Sequence, residues 1–213
     1  MTPDQLALFV PFAFMLAIAP GPDNLAVLAL GVSNGRPAAL GFGLGCAAGC
    51  LNHTLLAAIG VSALIAASPV AFAVLQYAGA AYLVWLGIRI LRSPGSALSA
   101  RAPDSQTRFG VQFRRGLLAN AINPKVGLFF LALLPQFVRA DGWAAPWQIL
   151  VLGVIFGVVS GIVFSAVALG AAGIGQWLAR HPRAARWTDH ASALVFIGLG
   201  IRLALGELPR AAR

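Results

Sequence analysis

Ala19-Pro-Gly-Pro-Asp-Asn24 interrupts an apolar run that extends from Leu6 to Val32. The run is long enough to cross a bilayer, which requires about 20 apolar residues. Its two prolines remove backbone hydrogen-bond donors, and a carboxylate near the centre of a membrane helix costs roughly 2.5 to 3.5 kcal/mol. Irregular backbone at membrane depth persists only where protein or a water-filled cavity satisfies it. The stretch therefore predicts a broken helix that lines a path.

The composition of the whole chain is that of a membrane protein. Of its 213 residues, 59% are hydrophobic and 10% are charged, and the mean hydropathy is +0.84. A soluble domain averages about 25% charged residues. No Lys or Arg precedes Arg36, so the basic segment that opens a signal peptide is missing, and we expect the first span to stay in the mature protein.

The basic residues are distributed unevenly between the two sides of the predicted spans. The net charge is +9, which could indicate nucleic-acid binding, but most of this charge falls on one side. That side holds Arg36, Arg89, Arg92, Arg101, Arg108, Arg114, Arg115, Arg180, Arg183 and Arg186, and the other holds Arg139, Arg202, Arg210 and Arg213. The positive-inside rule makes the first side cytoplasmic. We therefore expect both termini outside, the lipid bilayer as the partner of the surface, and no nucleic acid.

Six apolar runs predict an all-α polytopic membrane protein with six transmembrane helices in a single transport domain, residues 1–213. The runs lie at about 6–32, 40–66, 70–91, 115–138, 147–175 and 189–206. Short connections are expected between them, including 139–146 and 180–188. The long segment 93–112 is rich in Ser, Ala, Pro and Arg. It predicts a cytoplasmic linker between repeat one, about 1–92, and repeat two, about 113–213.

The two halves of the sequence resemble each other. The motif Leu86-Gly-Ile-Arg89 ends the third run, and Leu199-Gly-Ile-Arg202 ends the sixth. Proline breaks the first run and the fourth. Glycines recur at four-residue spacing in the second and fifth runs, at Gly41, Gly45 and Gly49 and at Gly153, Gly157 and Gly161. Three helices reverse direction across a membrane, so the halves are predicted to be inverted-topology repeats, as in many secondary transporters. The glycine faces predict close helix packing and permit a homodimer.

The fourth run is broken at Asn120-Ala-Ile-Asn-Pro-Lys125. Pro124 frees the carbonyl of Asn120, and Lys125 lies roughly 15 Å into the membrane, counted from Arg115 at about 1.5 Å per residue. Snorkelling to the interface is the ordinary explanation of such a lysine. The alternative places Lys125 and Asp23 across one cavity, because intramembrane charges face the interior and one another. Such a cavity suits a zwitterion, with Asp23 toward its ammonium and Lys125 toward its carboxylate.

Three motifs together resemble a known family. They are Pro20-Gly-Pro-Asp-Asn24, Asn123-Pro-Lys125 running on to Leu134-Pro-Gln-Phe137, and Gly79-Ala-Ala-Tyr-Leu83. These motifs resemble those of the LysE/RhtB family of bacterial amino-acid exporters. The resemblance extends over nearly the whole chain. The resemblance implies a multi-pass protein of the inner membrane that exports amino acids, has no cofactor, and is driven by an ion gradient, for which we expect protons. It also implies that the protein is not an enzyme.

The resemblance and the charged motifs together give the expected site residues. Substrate binding is expected at Pro22, Asp23, Asn24, Asn120, Asn123, Pro124 and Lys125. Asp23 and His53 are the candidates for carrying a coupling proton, since the reference pKa of histidine near about 6.5 allows it to switch. The family pattern often has an acidic residue where this chain has Cys50. We therefore expect a small neutral or polar amino acid, of the threonine or homoserine type, instead of a cationic one.

Two other functions remain open from the sequence. Cys46, Cys50 and His53 share one helix face, and thiolates with imidazole suit a soft metal ion, so a metal exporter is the first alternative. Cysteines also serve as small apolar packing residues. The second alternative is a membrane subunit that transports nothing. The sequence has no G-x-x-x-x-G-K-[ST] motif, so we expect no direct use of ATP.

Overall fold

A computed structural model describes residues 1–19, 21–92, 108–139 and 141–205, and every regular element in these ranges is helical. Pro20, Arg101, Arg210, Arg213 and most of the predicted linker lie outside the described residues. The elements are α1 (Pro3–Ile18), α2 (Pro22–Ser33), α3 (Arg36–Ala67), α4 (Pro69–Arg92), α5 (Phe109–Ala121), α6 (Pro124–Leu128), a π-helical turn (Phe129–Leu133), a 3-10 turn (Leu134–Phe137), α7 (Ala145–Arg180) and α8 (Pro182–Leu205).

Both predicted helix breaks are present. The first apolar run is divided into α1 and α2, which are bent by 55°, and the fourth is divided into α5 and the segment Lys125–Phe137, bent by 54°. Each second half begins with proline as its first helical residue, Pro22 in α2 and Pro124 in α6. Proline is favoured there because the missing N–H has no intrahelical partner and the fixed φ suits a helix.

Two predicted loop boundaries are wrong. α5 begins at Phe109, inside the predicted linker 93–112, and α8 begins at Pro182, inside the predicted turn 180–188. The prediction took the end of an apolar run as the end of a helix. A helix can continue past its apolar run with solvated polar side chains, and α8 includes the exposed Arg183 and Arg186. The ends of the helices and the ends of the apolar runs therefore differ in this chain.

The described residues form a polytopic membrane protein. Three helices, α3, α4 and α7, are long and apolar enough to cross a membrane, and the two bent pairs raise the count to as many as five among these residues. α8 is not counted, and its first turns carry Arg183, Arg186 and Asp189. The sixth span and the location of the termini stay predictions.

α3 is the centre of the helix packing. It lies along both α5 and α7, while α4 lies along α8. Glycine allows the closest of these contacts: Gly45 of α3 lies against the backbone of Phe113, and Gly116 of α5 lies against the backbone of Phe42. Gly153 of α7 meets the side chain of Thr54 in α3. The predicted packing role of the glycine-spaced faces is thus confirmed.

Gly116→Ala is expected to lower the free energy of unfolding by about 1 to 3 kcal/mol, because the new Cβ meets the Phe42 carbonyl and pushes α3 from α5. Thermal unfolding of the purified protein in detergent measures this effect. Gly110→Ala in the same helix is the matched control, since a Cβ at Gly110 meets nothing within 4 Å and alanine favours a helix by about 1 kcal/mol. Equal melting temperatures for the two variants would contradict the close contact.

Candidate functional site

The two helix breaks face each other across a small cavity. Six of the seven expected substrate-binding residues line it, namely Pro22, Asp23, Asn24, Asn120, Asn123 and Lys125. The seventh, Pro124, starts α6. The cavity has a volume of about 30 Å³, which is room for roughly one or two water molecules. The breaks are therefore closed on each other in this conformation.

Asp23 is held by the opposite helix break. Nδ2 of Asn120 donates to one carboxylate oxygen and Nδ2 of Asn123 donates to the other, each over 3.1 Å. Asp23 also lies in the first turn of α2, where the positive end of the helix dipole stabilises an anion. Hydrogen bonds to a charged group contribute about 1.5 to 3 kcal/mol each. These contacts offset the penalty of placing a carboxylate at membrane depth.

Asn24 satisfies the end of α1. Its Nδ2 donates to the carbonyl oxygens of Ala17 and Ala19, both at 2.9 Å. The last carbonyls of a helix have no intrahelical donor, and α1 ends at Ile18. One amide therefore serves two carbonyls that the break leaves open, and this ties α2 to α1.

His53 satisfies the second break in the same manner. Its Nε2 lies 2.9 Å from the carbonyl oxygen of Asn120, the carbonyl that the sequence predicts to be freed by Pro124. A carbonyl only accepts, so Nε2 carries the proton and donates. The imidazole is buried and stacks on Phe130 at 5.9 Å. This geometry gives His53 a role in supporting the broken helix, and its role in proton coupling stays a prediction.

Lys125 lines the same cavity as Asp23 but makes other contacts. Its Nζ is 3.5 Å from the carbonyl oxygen of Ala19 and 4.5 Å from the centre of the Phe196 ring. No ion pair within 4 Å joins Lys125 to Asp23, both of which the structure describes. Gly21 leaves the space that the ammonium uses, since a Cβ at Gly21 would lie 2.9 Å from Nζ. The two charges thus share a site without touching.

Ser160 and Phe196 are among the residues of this site that sequence reasoning missed. Ser160 of α7 is buried and lines the cavity. A hydroxyl between Gly157 and Gly161 in an otherwise apolar run was a signal for it. Phe196 of α8 is one of 13 phenylalanines, and nothing in the sequence separates it from the others. Only the fold brings its ring to Lys125.

Cys46, Cys50 and His53 are not gathered into a metal site. Within the described ranges, no three His, Cys, Asp or Glu side chains are placed to hold one ion. Both cysteines are free and buried in hydrophobic clusters, and Sγ of Cys50 lies 3.6 Å from the carbonyl oxygen of Cys46. His53 is committed to the second helix break. The described residues therefore give the metal-exporter alternative no support, because sharing a helix face does not bring these side chains to one point.

Known proteins resemble this chain over nearly its full length. The family model described as LysE type translocator matches residues 14–207. An uncharacterized membrane protein of Pseudomonas aeruginosa is 37% identical over 202 residues, 90% of each chain. A homoserine/homoserine lactone efflux protein of Salmonella typhi is 32% identical over 190 residues, 89% of this chain and 91% of its own. A leucine efflux protein of Salmonella choleraesuis is 30% identical over 196 residues, 90% and 91% of the two chains. No solved structure matches the chain.

The matched region includes both helix breaks and the whole cavity between them. The family consists of membrane translocators and not of enzymes. Its multi-pass character agrees with the apolar helices of the fold. This protein is a multi-pass membrane transporter that belongs to the LysE type translocator family.

Proposed function

We propose that this protein is a secondary-active exporter that moves a small neutral or polar amino acid from the cytoplasm outward across the bacterial inner membrane. The observation that carries the proposal is the cavity between the two breaks, which has both a carboxylate, Asp23, and an ammonium group, Lys125, on its wall. Relatives named for efflux of homoserine, homoserine lactone and leucine support this substrate class.

Two unpaired acceptors support recognition of an amino group. Oδ1 of Asn24 and Oδ1 of Asn120 are buried without a hydrogen-bond partner in the described part of the chain, and both residues line the cavity. A buried polar atom without a partner costs about 1 to 3 kcal/mol. The matching Nδ2 groups already donate to carbonyl or carboxylate oxygens. An incoming ammonium has N–H groups to supply to the two oxygens.

Charge balance favours a neutral zwitterion as the substrate. Asp23 and Lys125 carry opposite charges, so a zwitterion leaves the total charge of the site at zero. The rest of the wall is largely apolar and includes Leu16, Phe156 and Phe164, which suits a small uncharged side chain. A cationic side chain would enter this wall unpaired, and burying an unpaired charge is strongly unfavourable.

The size of the cavity supports transport by alternating access. At about 30 Å³ it is smaller than any amino acid, so the helix breaks must separate before a substrate binds. In transporters built of inverted repeats, such widening comes from rocking one half against the other around the central site. Protons are the proposed driving ions, and Asp23 and His53 are the proposed carriers.

A pair of reciprocal contacts between α4 and α8 supports the proposal of six spans in two inverted repeats. Gly87 of α4 lies close to the carbonyl oxygen of Ala193, and Gly200 of α8 lies close to that of Ala80. The same sequence spacing separates Gly87 from Gly200 and Ala80 from Ala193, so each contact is the image of the other. A pseudo-two-fold axis produces contacts of this kind. With the positive-inside rule, this plan puts both termini outside.

Overproduction of the protein is expected to raise the concentration of a small neutral amino acid in the medium and to give resistance to its toxic analogue. In everted vesicles, gradient-driven uptake of the labelled amino acid should fall at least about tenfold in Lys125→Met, because the substrate carboxylate loses a charged partner worth about 1.5 to 3 kcal/mol. Arg139→Gln removes an exposed cation that pairs with Asp141 and should transport normally. Equal uptake by wild type and Lys125→Met would refute the role of Lys125.

A further inference from the structure

The ammonium of Lys125 lies between a backbone carbonyl oxygen and an aromatic ring. Nζ is directed at the carbonyl oxygen of Ala19 over 3.5 Å and lies over the face of Phe196, 4.5 Å from the ring centre. Ala19 caps the C-terminal end of α1, where the helix dipole is negative and attracts cations. An aromatic face attracts an ammonium within about 6 Å of the ring centre, more strongly when water is excluded. Phe196 is fully buried.

Gly21 lies beside the space that the ammonium of Lys125 occupies. Its φ of −160° is extended backbone that any residue adopts, so the conformation does not require glycine. The missing side chain gives room instead: a Cβ at Gly21 would stand 2.9 Å from Nζ of Lys125 and would make the end of the lysine shift. Glycine at this position therefore favours the place that the ammonium takes between the carbonyl and the ring.

We propose that the Ala19 carbonyl and the Phe196 ring form a subsite for a primary ammonium group, which Lys125 fills in this closed conformation and the amino group of the substrate fills on binding. Lys125, once displaced, turns to the carboxylate of the same substrate. One ammonium replaces another, so the ring and the helix end are never left without a cation. The identity of the substrate rests on the proposed function, whereas the subsite itself is a property of this chain.

The exchange explains the small volume of the cavity. The Lys125 side chain occupies space between the two breaks, and its withdrawal from Ala19 releases that space. It also makes Phe196 a residue of the binding site, which connects α8 to both helix breaks. Substrates whose nitrogen is acylated are expected to bind poorly, because an amide carries no positive charge to place over the ring.

Removing the internal ammonium provides the test. Lys125→Ala lacks the three methylenes and the amine of the lysine side chain, and n-propylammonium supplies the same group from solution. Purified Lys125→Ala in detergent is expected to bind n-propylammonium at least about tenfold more tightly than wild type, by calorimetry and by thermal stabilisation. The uncharged isostere 1-propanol should not bind. Gly21→Ala, whose Cβ reaches the place of the ammonium, is expected to weaken n-propylammonium binding when it is added to Lys125→Ala.

The aromatic face is tested in the Lys125→Ala background. Phe196→Leu should remove most of the affinity for n-propylammonium, and Phe196→Tyr should keep it. Phe72→Leu, at another buried phenylalanine, is the matched control and should leave amine binding unchanged. If Phe196→Leu does not fold, a fluorinated phenylalanine at Phe196 keeps the shape while weakening the ring face, and the same loss of affinity is expected.

The outcomes separate the subsite from the proposed function. Equal n-propylammonium binding by wild type and Lys125→Ala, or binding that neither the leucine nor the fluorinated ring at Phe196 weakens, would overturn the subsite. Amine binding as expected, with no amino-acid export by the wild-type protein, would overturn the proposed function and leave the subsite standing.

Discussion

Asp23→Asn is expected to lower the rate of amino-acid export at least about 100-fold. The carboxylate lines the cavity with the unpaired amide oxygens of Asn24 and Asn120 and supplies the negative charge toward which the substrate ammonium is drawn. Opposite charges about 5 Å apart interact by about 3 kcal/mol at an effective dielectric constant of about 20, and this corresponds to more than about 100-fold. Initial rates in everted vesicles measure the change, with most of it expected in KM.

The Asp23→Asn variant is expected to stay folded, so its loss of export would come from the lost charge and not from unfolding. Asn123 cannot turn its amide, because its Oδ1 accepts from the backbone N–H of Lys125 at 3.1 Å. Asn120 can, since its Oδ1 has no partner among the described residues and can rotate to accept from the new amide at position 23. Both hydrogen bonds therefore persist in Asp23→Asn, and its melting temperature in detergent should stay within a few degrees of that of wild type.

A charge swap and a matched control complete this test. Asp23→Asn combined with Asn123→Asp moves the carboxylate across the break while aspartate still caps α6, so part of the lost export should return. Asp141→Asn changes an exposed carboxyl in a loop, where hydrogen bonds from Arg139 hold the pKa of Asp141 below its usual range; its export should equal that of wild type. Normal export by Asp23→Asn would remove Asp23 from the mechanism.

Proline and charge made the two helix breaks predictable from the sequence. Few local structures accommodate Pro22, Asp23 and Pro124 within apolar runs, so these residues predict that each run forms a broken helix. The way each break is satisfied was not predictable. The amide of Asn24 reaches back to α1, and His53 reaches across from α3. Such pairings depend on distances that only the packed fold sets.

The remaining errors have the same origin. Hydropathy marks where an apolar run ends, and α5 and α8 extend beyond the ends of their apolar runs. A shared helix face suggested a metal site at Cys46, Cys50 and His53, but Sγ of Cys50 lies near the Cys46 carbonyl of its own helix, and His53 bonds to the Asn120 carbonyl of α5. Phe196 became a site residue only through its contact with Lys125. Local patterns therefore gave the positions of the breaks, and tertiary contacts decided the chemistry around them.

Gln148→Leu is expected to lower the free energy of unfolding by about 3 kcal/mol. Gln148 is fully buried near the start of α7. Its Oε1 accepts from Nε2 of Gln5 at 2.8 Å and from N–H of Arg139 at 3.1 Å, and its Nε2 donates to the carbonyls of Arg139 at 2.8 Å and Trp143 at 2.5 Å. Leucine makes none of these bonds, and each buried group left unpaired costs about 1 to 3 kcal/mol. Thermal and denaturant unfolding in detergent measure the loss.

The same change is expected to open the outer end of the transport path. Gln148 links α7 to the loop at Arg139 and, through Gln5, to α1, and this end lies outside in the topology proposed from the charge distribution. Cys50 lines the cavity and serves as a native reporter in a Cys46→Ala background. A membrane-impermeant thiol reagent added outside should modify Cys50 at least about tenfold faster in Gln148→Leu, since a weakened closure is open more of the time. Gln176→Leu, at an exposed glutamine of α7, should change neither stability nor labelling. Unchanged stability and labelling in Gln148→Leu would show that this hydrogen-bond cluster does not close the site.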